Sequence, residues 1–171
     1  ADGSCEGAIT PEGIIVQQLV AVDPERQQIY FMANNLPEYS DPYYHGLCRV
    51  NFDGTGFSLL TPEDGEHMVR IFPDCLADTW SRVDQAPVTV LRDRNGGFLC
   101  EVIRADISAL LEAGYIMPER FQVTATDGET PLYGILIRPA GMVEGKTYPF
   151  IDYIYGGMQI ANVPKAFTWK T

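Results

Sequence analysis

Short β-rich runs separated by turn residues fill the first hundred or so positions, and their repeat constrains the fold more than any other feature. The first cycle opens with the runs Ile14–Val22 and Gln28–Ala33, joined by the turn Asp23–Arg26. It continues with a hairpin that leads from Leu47–Phe52 to Phe57–Thr61 through the glycine-rich turn between them. The pattern predicts about four strands over roughly 40–50 residues, a repeat length typical of β-propeller blades.

A second cycle of the same kind follows directly. It contains the stretches "HMVRIFPDCLADTWSRV", "APVTVLRD" and "FLCEVIR", with Arg94–Gly97 as the turn before the last of them. Two cycles cannot close a propeller, which typically needs about 4–8 blades. The repeat therefore predicts part of a propeller in residues 1–104, and a small β-sandwich or meander stays open as the alternative.

After residue 104 the sequence no longer consists of short β-rich runs separated by turns. "ADISALLEAGYIMPERF" predicts a short helix near Ile107–Ala113, with Asp106 as its N-cap and Gly114 at its end. An amphipathic hairpin is expected from Phe121–Thr126 to Leu132–Arg138. The stretch "YPFIDYIYGG" (residues 148–157) is then a near-continuous apolar run, which favours a strand buried on both faces of a parallel sheet.

Composition excludes several classes of partner. A net charge of -11 and a pI near 4.4 argue against nucleic acid and anionic membranes. No apolar run approaches the ~20 residues that span a bilayer, and the start of the sequence lacks the pattern of a signal peptide. With 46% apolar residues, the chain can form a sizeable core.

The four cysteines contain no CxxC pair, so a zinc cluster is not expected. No other metal site and no cofactor is expected either. Their pairing cannot be chosen from the sequence, and buried free thiols are an alternative to disulfides. The cysteines are Cys5, Cys48, Cys75 and Cys100.

The histidines and one acidic cluster are the remaining candidates for chemistry. We expect His45 to be a solvated loop residue and His67 to lie at a blade edge. Glu63, Asp64 and Glu66 could bind a substrate amine or a cation, but a solvated turn is the favoured interpretation.

Three stretches in this order resemble the dipeptidyl peptidase IV branch of the prolyl oligopeptidase family. They are "SRVDQAPVTVLRD", "ADISALLEAGYIMPERFQVTATDGETPLYGILIRP" and "KTYPFIDYIYGG". Members of this family join an eight-bladed or similar β-propeller to an α/β-hydrolase domain. The resemblance implies that residues 1–104 are the last propeller blades and that residues 105–171 begin the hydrolase domain. The expected fold is thus mainly β, with about two four-stranded blades followed by the first helix and strands of the hydrolase.

The resemblance also implies a role for the end of the apolar run. In relatives, a tyrosine hydroxyl after this strand is a donor of the oxyanion hole, which stabilises the negative charge that develops on the attacked carbonyl. Tyr155 falls on that position, while Gly156 and Gly157 let the backbone turn and leave space for substrate. Tyr153 is similar in type but lies two residues earlier, deeper in the predicted strand.

No nucleophile, general acid or general base is expected within the chain. It contains no GxSxG motif, and both histidines precede the predicted oxyanion loop, whereas in this fold the Ser, acid and His follow it. The resemblance implies a portion of a serine exopeptidase that releases N-terminal dipeptides, with the triad beyond residue 171 and the chain alone inactive. The alternative is a non-catalytic propeller interaction module with a vestigial hydrolase segment. Peptide substrates, a homodimer of the full-length protein and a secreted, periplasmic or cell-surface location are further implications.

Overall fold

The computed structural model describes residues 7–155, 157 and 161–168, and within them the chain is mainly β. The elements in chain order are β1 (Ile15–Asp23), β2 (Gln28–Asn34), β3 (Gly46–Asn51), β4 (Ser58–Leu59), β5 (Glu66–Ile71), β6 (Cys75–Arg82), β7 (Gln85–Asp93), β8 (Phe98–Arg104), α1 (Ser108–Glu112), β9 (Glu119–Thr124) and β10 (Pro131–Leu136).

The strands form two four-stranded sheets and a separate hairpin. The first sheet has the order β1-β2-β3-β4 and the second has the order β5-β6-β7-β8, so each is a meander of consecutive strands. The two predicted cycles of four strands, and the mainly β fold class, are confirmed. No long helix occurs among the described residues before residue 100.

The chain divides into two compact units. The first contains Ala1–Trp80 and Val88–Ile103, and the second contains Ser81–Pro87 and the chain from Arg104 onward. The assignment of residues 1–104 and 105–171 to two functional domains stays a prediction.

The two central strands of the first sheet, β2 and β3, are buried on both faces, whereas β1 is largely exposed. β2 pairs with β3 in antiparallel register, with Phe31 opposite Cys48 and Met32 opposite Leu47. Because successive side chains alternate between faces, Phe31 and Cys48 lie on one face while Tyr30 and Leu47 lie on the other, and these four side chains are all buried. This explains why the run of residues in β2 is apolar at nearly every position.

Two apolar clusters follow from this alternation. One fills the outer face of the first sheet; its buried members are Phe31, Ala33, Leu36, Tyr39, Tyr44, Cys48 and Val50. The other joins the first sheet to the second; its buried members are Tyr30, Leu47, Leu60 and Leu76, with Val69 and Ile71 of β5 packed against them.

The buried, inward-facing side chains of the second sheet include charged ones. Along β7 the buried side chains alternate as Val88, Val90 and Arg92, so an arginine occupies the third inward position. The turn after β7 approaches the first sheet closely at Gly96, which has a φ of +87°; a Cβ there would lie 2.6 Å from the carbonyl oxygen of Leu60. Only glycine combines this φ with this contact.

The second unit contains the predicted helix and hairpin. The helix α1 lies within the expected range, but its N-cap is Ile107 and not Asp106. Gly114 follows the C-cap Ala113, and its φ of +90° allows Tyr115 N–H to donate to the Leu110 carbonyl. Asp106 accepts from the backbone N–H of Ser108 at 2.9 Å, just before the helix. The strands β9 and β10 pair as an antiparallel hairpin.

The prediction of a buried strand in the apolar run is wrong for this structure. Residues 148–155 form no strand, and the side chains of Phe150, Ile151, Tyr153 and Ile154 are mostly exposed. A strand of this composition requires neighbours on both sides and cover on both faces, and no described strand pairs with it.

Shortening a core side chain between the two sheets tests the packing. Leu47→Ala should lower the free energy of unfolding by about 2–5 kcal/mol, because Leu47 is fully buried and its removal leaves a cavity. The matched control Leu99→Ala, on the exposed strand β8, should change it by less than about 0.5 kcal/mol. Urea unfolding followed by circular dichroism measures both, and equal losses would contradict the described core.

Candidate functional site

The residues predicted for the oxyanion loop lie in an exposed part of the second unit. The ring of Tyr155 is 54% exposed and that of Tyr153 is 82% exposed. Gly157 is half-buried, and Gly156 lies outside the described residues. The structure therefore gives positions to the two tyrosines but brings no described nucleophile or base to them. The catalytic assignment of Tyr155, Gly156 and Gly157 stays a prediction.

The acidic cluster is built into a joint between the two sheets rather than into a solvated turn. We call residues 63–66, between β4 and β5, the acidic segment. Asp64 accepts hydrogen bonds from the backbone N–H and the hydroxyl of Ser40, each at 2.7 Å. Glu66 accepts from the backbone N–H of His45 at 3.0 Å and lies 2.9 Å from its ring Nδ1. The segment thus holds the loop between β2 and β3 at two points.

His45 is paired rather than free in solvent. The hydrogen bond to Glu66 raises the pKa of His45, while partial burial opposes the rise. The backbone N–H of His67 donates to the carbonyl of His45 at 3.1 Å, so the same residue is also linked to the start of the second sheet. Its prediction as a solvated loop residue missed these contacts.

Glu63 of the acidic segment also belongs to a cluster of four charged or polar side chains, here called the polar quartet: Glu63, His67, Asp78 and Arg92. Asp78 occupies its centre. It lies 2.8 Å from His67 Nδ1 through one carboxylate oxygen and accepts from Arg92 Nε at 2.9 Å through the other. Arg92 also donates to the Glu63 carboxylate and to the carbonyl of Gly96, the latter at 3.3 Å. Burial alone would lower the pKa of Arg92, but its hydrogen bonds to Glu63 and Asp78 raise it.

His67 lies inside this quartet and not at a blade edge. Its side chain and that of Asp78 are 0% exposed. Its ring stacks on Tyr39 at a centroid distance of 5.8 Å and on Trp80 at 6.2 Å. The sequence signal that could have located it is the inward position of Asp78, two residues after the buried Leu76 on β6.

The His67–Asp78 pair resembles a base and its orienting carboxylate, but it cannot serve as one. The second ring nitrogen, Nε2, lies 2.8 Å from the backbone carbonyl oxygen of Glu63 and is therefore occupied. A general base needs a free nitrogen within reach of the substrate proton. This pair is structural.

Tyr39 completes the joint from the side of the first sheet. Its hydroxyl contacts both the carbonyl oxygen and the side-chain oxygen of Thr61. Thr61 Oγ1 in turn accepts from the backbone N–H of Leu47 at 3.0 Å. Burial raises the pKa of Tyr39, so the hydroxyl stays protonated and can donate.

Three of the four cysteines carry free thiols: Cys48, Cys75 and Cys100. Cys48 is buried in the first sheet, and burial raises its pKa to about 12. Cys100 is exposed on β8, in contrast to the predicted buried alternative. Cys5 lies outside the described residues.

Neither a metal cluster nor a membrane-spanning helix is found in the part of the chain that the structure describes. No group of three or more His, Cys, Asp or Glu side chains there could hold a metal ion. No helix among those residues is long and apolar enough to cross a bilayer.

Comparisons with known proteins connect this arrangement to a family. A family model described as the dipeptidyl peptidase IV N-terminal region matches residues 1–87. Dipeptidyl peptidase 8 of Mus musculus and that of Homo sapiens are each 43% identical to the chain over 53 residues, which make up 31% of this chain. The crystal structure of a provisionally assigned dipeptidyl aminopeptidase IV from Bacteroides ovatus matches 93% of this chain with a TM-score of 0.70 and 25% identity.

The chain corresponds to a small part of each of these proteins. The match spans 6% of each dipeptidyl peptidase 8 and 22% of the Bacteroides ovatus chain. The N-terminal region of the family is a β-propeller, and the two four-stranded sheets are blades of that fold.

The His45–Glu66 pair predicts a specific pH dependence of stability. Because the folded-state pKa of His45 is raised, its charged form stabilises the fold below the ordinary histidine pKa of about 6.5. This contribution is lost as the pH rises through the higher folded-state pKa. The side chains are 34% and 26% exposed, so the contribution should be less than about 1 kcal/mol.

The variant His45→Gln isolates this effect, since glutamine does not titrate. Its free energy of unfolding should lie below that of the wild type under mildly acidic conditions and approach it as the pH rises. Urea unfolding between about pH 5 and pH 9 gives the comparison. A difference that stays constant with pH would show that His45 contributes through packing alone.

Proposed function

The chain belongs to the family of the dipeptidyl peptidase IV N-terminal region, and we propose that it is a portion of a serine exopeptidase that releases dipeptides from the N-termini of peptides. Peptide substrates suit a family whose relatives are named dipeptidyl peptidases. In this proposal residues 1–104 are propeller blades and residues 105–171 begin an α/β-hydrolase domain. The full-length protein is a secreted, periplasmic or cell-surface enzyme and forms a homodimer.

The observation that carries the proposal is the exposed apolar run in residues 148–155. Phe150, Ile151, Tyr153 and Ile154 are each more than three-quarters exposed. An apolar run of this kind is stable as a strand when neighbouring strands pair with it and helices cover both faces. In our proposal the remaining strands of the hydrolase domain supply those neighbours.

Tyr155 then lies at the end of a central strand, where the hydrolase fold places its oxyanion loop. Attack on a peptide carbonyl moves negative charge onto the oxygen, and a hydroxyl fixed in advance stabilises that charge without reorganisation. Tyr155 donates from its hydroxyl to this oxygen. Gly156 and Gly157 leave the space that the substrate backbone requires.

The nucleophile, its acid and its histidine come from the hydrolase domain and not from the residues described above. His67 is occupied on both ring nitrogens, and His45 is engaged with Glu66. The blades contribute walls and rigidity to the enzyme, and the chemistry takes place in the hydrolase domain.

The purified chain of 171 residues should show no turnover of dipeptide amide substrates. In the proposal, both the nucleophile and its general base come from the rest of the hydrolase domain. Release of a fluorogenic amine from a dipeptide amide is the measurement. Turnover that a serine-directed inhibitor abolishes would reveal a site that the proposal does not contain.

In the full-length enzyme, Tyr155→Phe should lower kcat by roughly 10²–10³, the usual effect of removing one oxyanion-hole donor. KM should change much less, since the donor acts mainly as charge develops in the transition state. Stability should hardly change, because only the hydroxyl is removed. Steady-state kinetics and thermal unfolding measure these effects.

Tyr153→Phe is the matched control and should leave kcat close to that of the wild type. Equal rates for the wild type and the Tyr155→Phe variant would assign Tyr155 to packing. That outcome, in an enzyme that is active, would remove Tyr155 from the mechanism but leave the proposed peptidase intact. A full-length protein without any peptidase activity would instead favour a non-catalytic propeller module.

A further inference from the structure

Both ring nitrogens of His67, the histidine of the polar quartet, face atoms that accept hydrogen bonds. His67 Nδ1 lies 2.8 Å from an oxygen of the Asp78 carboxylate, and Nε2 lies 2.8 Å from the backbone carbonyl oxygen of Glu63. A backbone carbonyl only accepts hydrogen bonds, and an ionised carboxylate only accepts them too. A neutral imidazole has a single N–H and can satisfy one of these two acceptors.

One additional proton is therefore required at the His67–Asp78 contact, on the ring or on the carboxyl. The second oxygen of Asp78 accepts from Arg92 Nε at 2.9 Å, which favours the ionised carboxylate. Imidazole is also the stronger base by about two to three pK units in water. Both considerations place the proton on the ring.

Charge balance leads to the same assignment. With a protonated ring, the positive charges of His67 and Arg92 equal the negative charges of Asp78 and Glu63. With a neutral ring and an ionised Asp78, the quartet holds one net negative charge at a site where His67 and Asp78 are 0% exposed, Arg92 is 1% exposed and Glu63 alone, at 31%, reaches solvent. A net charge is disfavoured where so little of the cluster is hydrated.

The remaining groups around the ring also favour a cation. The aromatic rings of Tyr39 and Trp80 stack on His67 with interplanar angles of 14° and 29°, and aromatic faces attract a positive charge. The Tyr39 hydroxyl is engaged with Thr61. The titratable or charged groups that face His67 are thus Asp78 from β6, Arg92 from β7 through Asp78, Glu63 from the acidic segment, and Tyr39 from the first sheet.

We infer that His67 is protonated on both ring nitrogens in the folded protein and that this proton locks the joint between the two blades. The ring holds the backbone of Glu63 with one nitrogen and the second sheet, through Asp78, with the other. The same acidic segment binds Ser40 and His45 of the first sheet. Removal of the proton breaks one of the two ring contacts and leaves the Arg92–Glu63 ion pair as the remaining side-chain link between the acidic segment and β7.

The chain offers a direct spectroscopic test because it contains only two histidines. Long-range proton–nitrogen NMR spectra of the folded wild-type chain, labelled with ¹⁵N in histidine, report the protonation of each ring nitrogen. At neutral pH both nitrogens of His67 should show shifts of the protonated type. His45→Gln removes the other ring and assigns the signals. A neutral tautomer, with one unprotonated ring nitrogen, would overturn the inference and place the proton on Asp78.

Unfolding measurements provide a second test, because a purely structural role of His67 would give a stability difference that does not change with pH. The comparison is between His45→Gln and His45→Gln/His67→Gln, which differ only in His67. The unfolding equilibrium constant of the double variant divided by that of the single variant should fall as the pH rises above neutral, by up to about tenfold per pH unit for one proton, because the single variant loses the stabilisation that its bound proton provides. A ratio that is independent of pH would contradict the lock. If the double variant does not fold, the NMR result on the single variant still decides.

Discussion

The burial of a guanidinium group is the constraint on which the two-sheet unit depends. Arg92 follows Val88 and Val90 in the inward pattern of β7 and is almost completely inaccessible to solvent. A buried charge is tolerated only with hydrogen-bonded partners of opposite charge. Asp78 comes from the neighbouring strand, and Glu63 comes from the segment that leads into the second sheet. Meeting this requirement fixes both the register of β6 against β7 and the path of the acidic segment.

Much of the fold was accessible from the sequence because its signals are local. The turns at Asp23–Arg26 and Arg94–Gly97, the alternation of apolar residues, and Gly114 at the end of the helix each act over a few positions. Strand bounds differ from the predicted ones by one or two residues at most ends, as at Ile15–Asp23. The count of four strands in each cycle needed no information about distant contacts.

The joint between the blades was not predicted, since its pairs are distant in sequence. Glu63 and Arg92 are 29 positions apart, and His67 and Asp78 are 11 apart. Spacing alone therefore suggested a solvated turn and a blade edge. The available signal was the placement of charged residues of opposite sign at inward positions of adjacent strands. The oxyanion assignment of Tyr155 depends on a different kind of information, the resemblance to a family, and it stays a prediction.

The order of the quartet along the chain also has a consequence for folding. Synthesis from the N-terminus delivers Glu63 and His67 before β6 and β7, so their future partners do not yet exist when β1, β2 and β3 can already pair. Arg92 is synthesised after these residues. Its guanidinium can be buried only where it can pair with the carboxylates of Asp78 and Glu63. We therefore expect the joint to form late in the folding of this unit, with the contact between Glu63 and Arg92, 29 positions apart, as the loop closure that completes it.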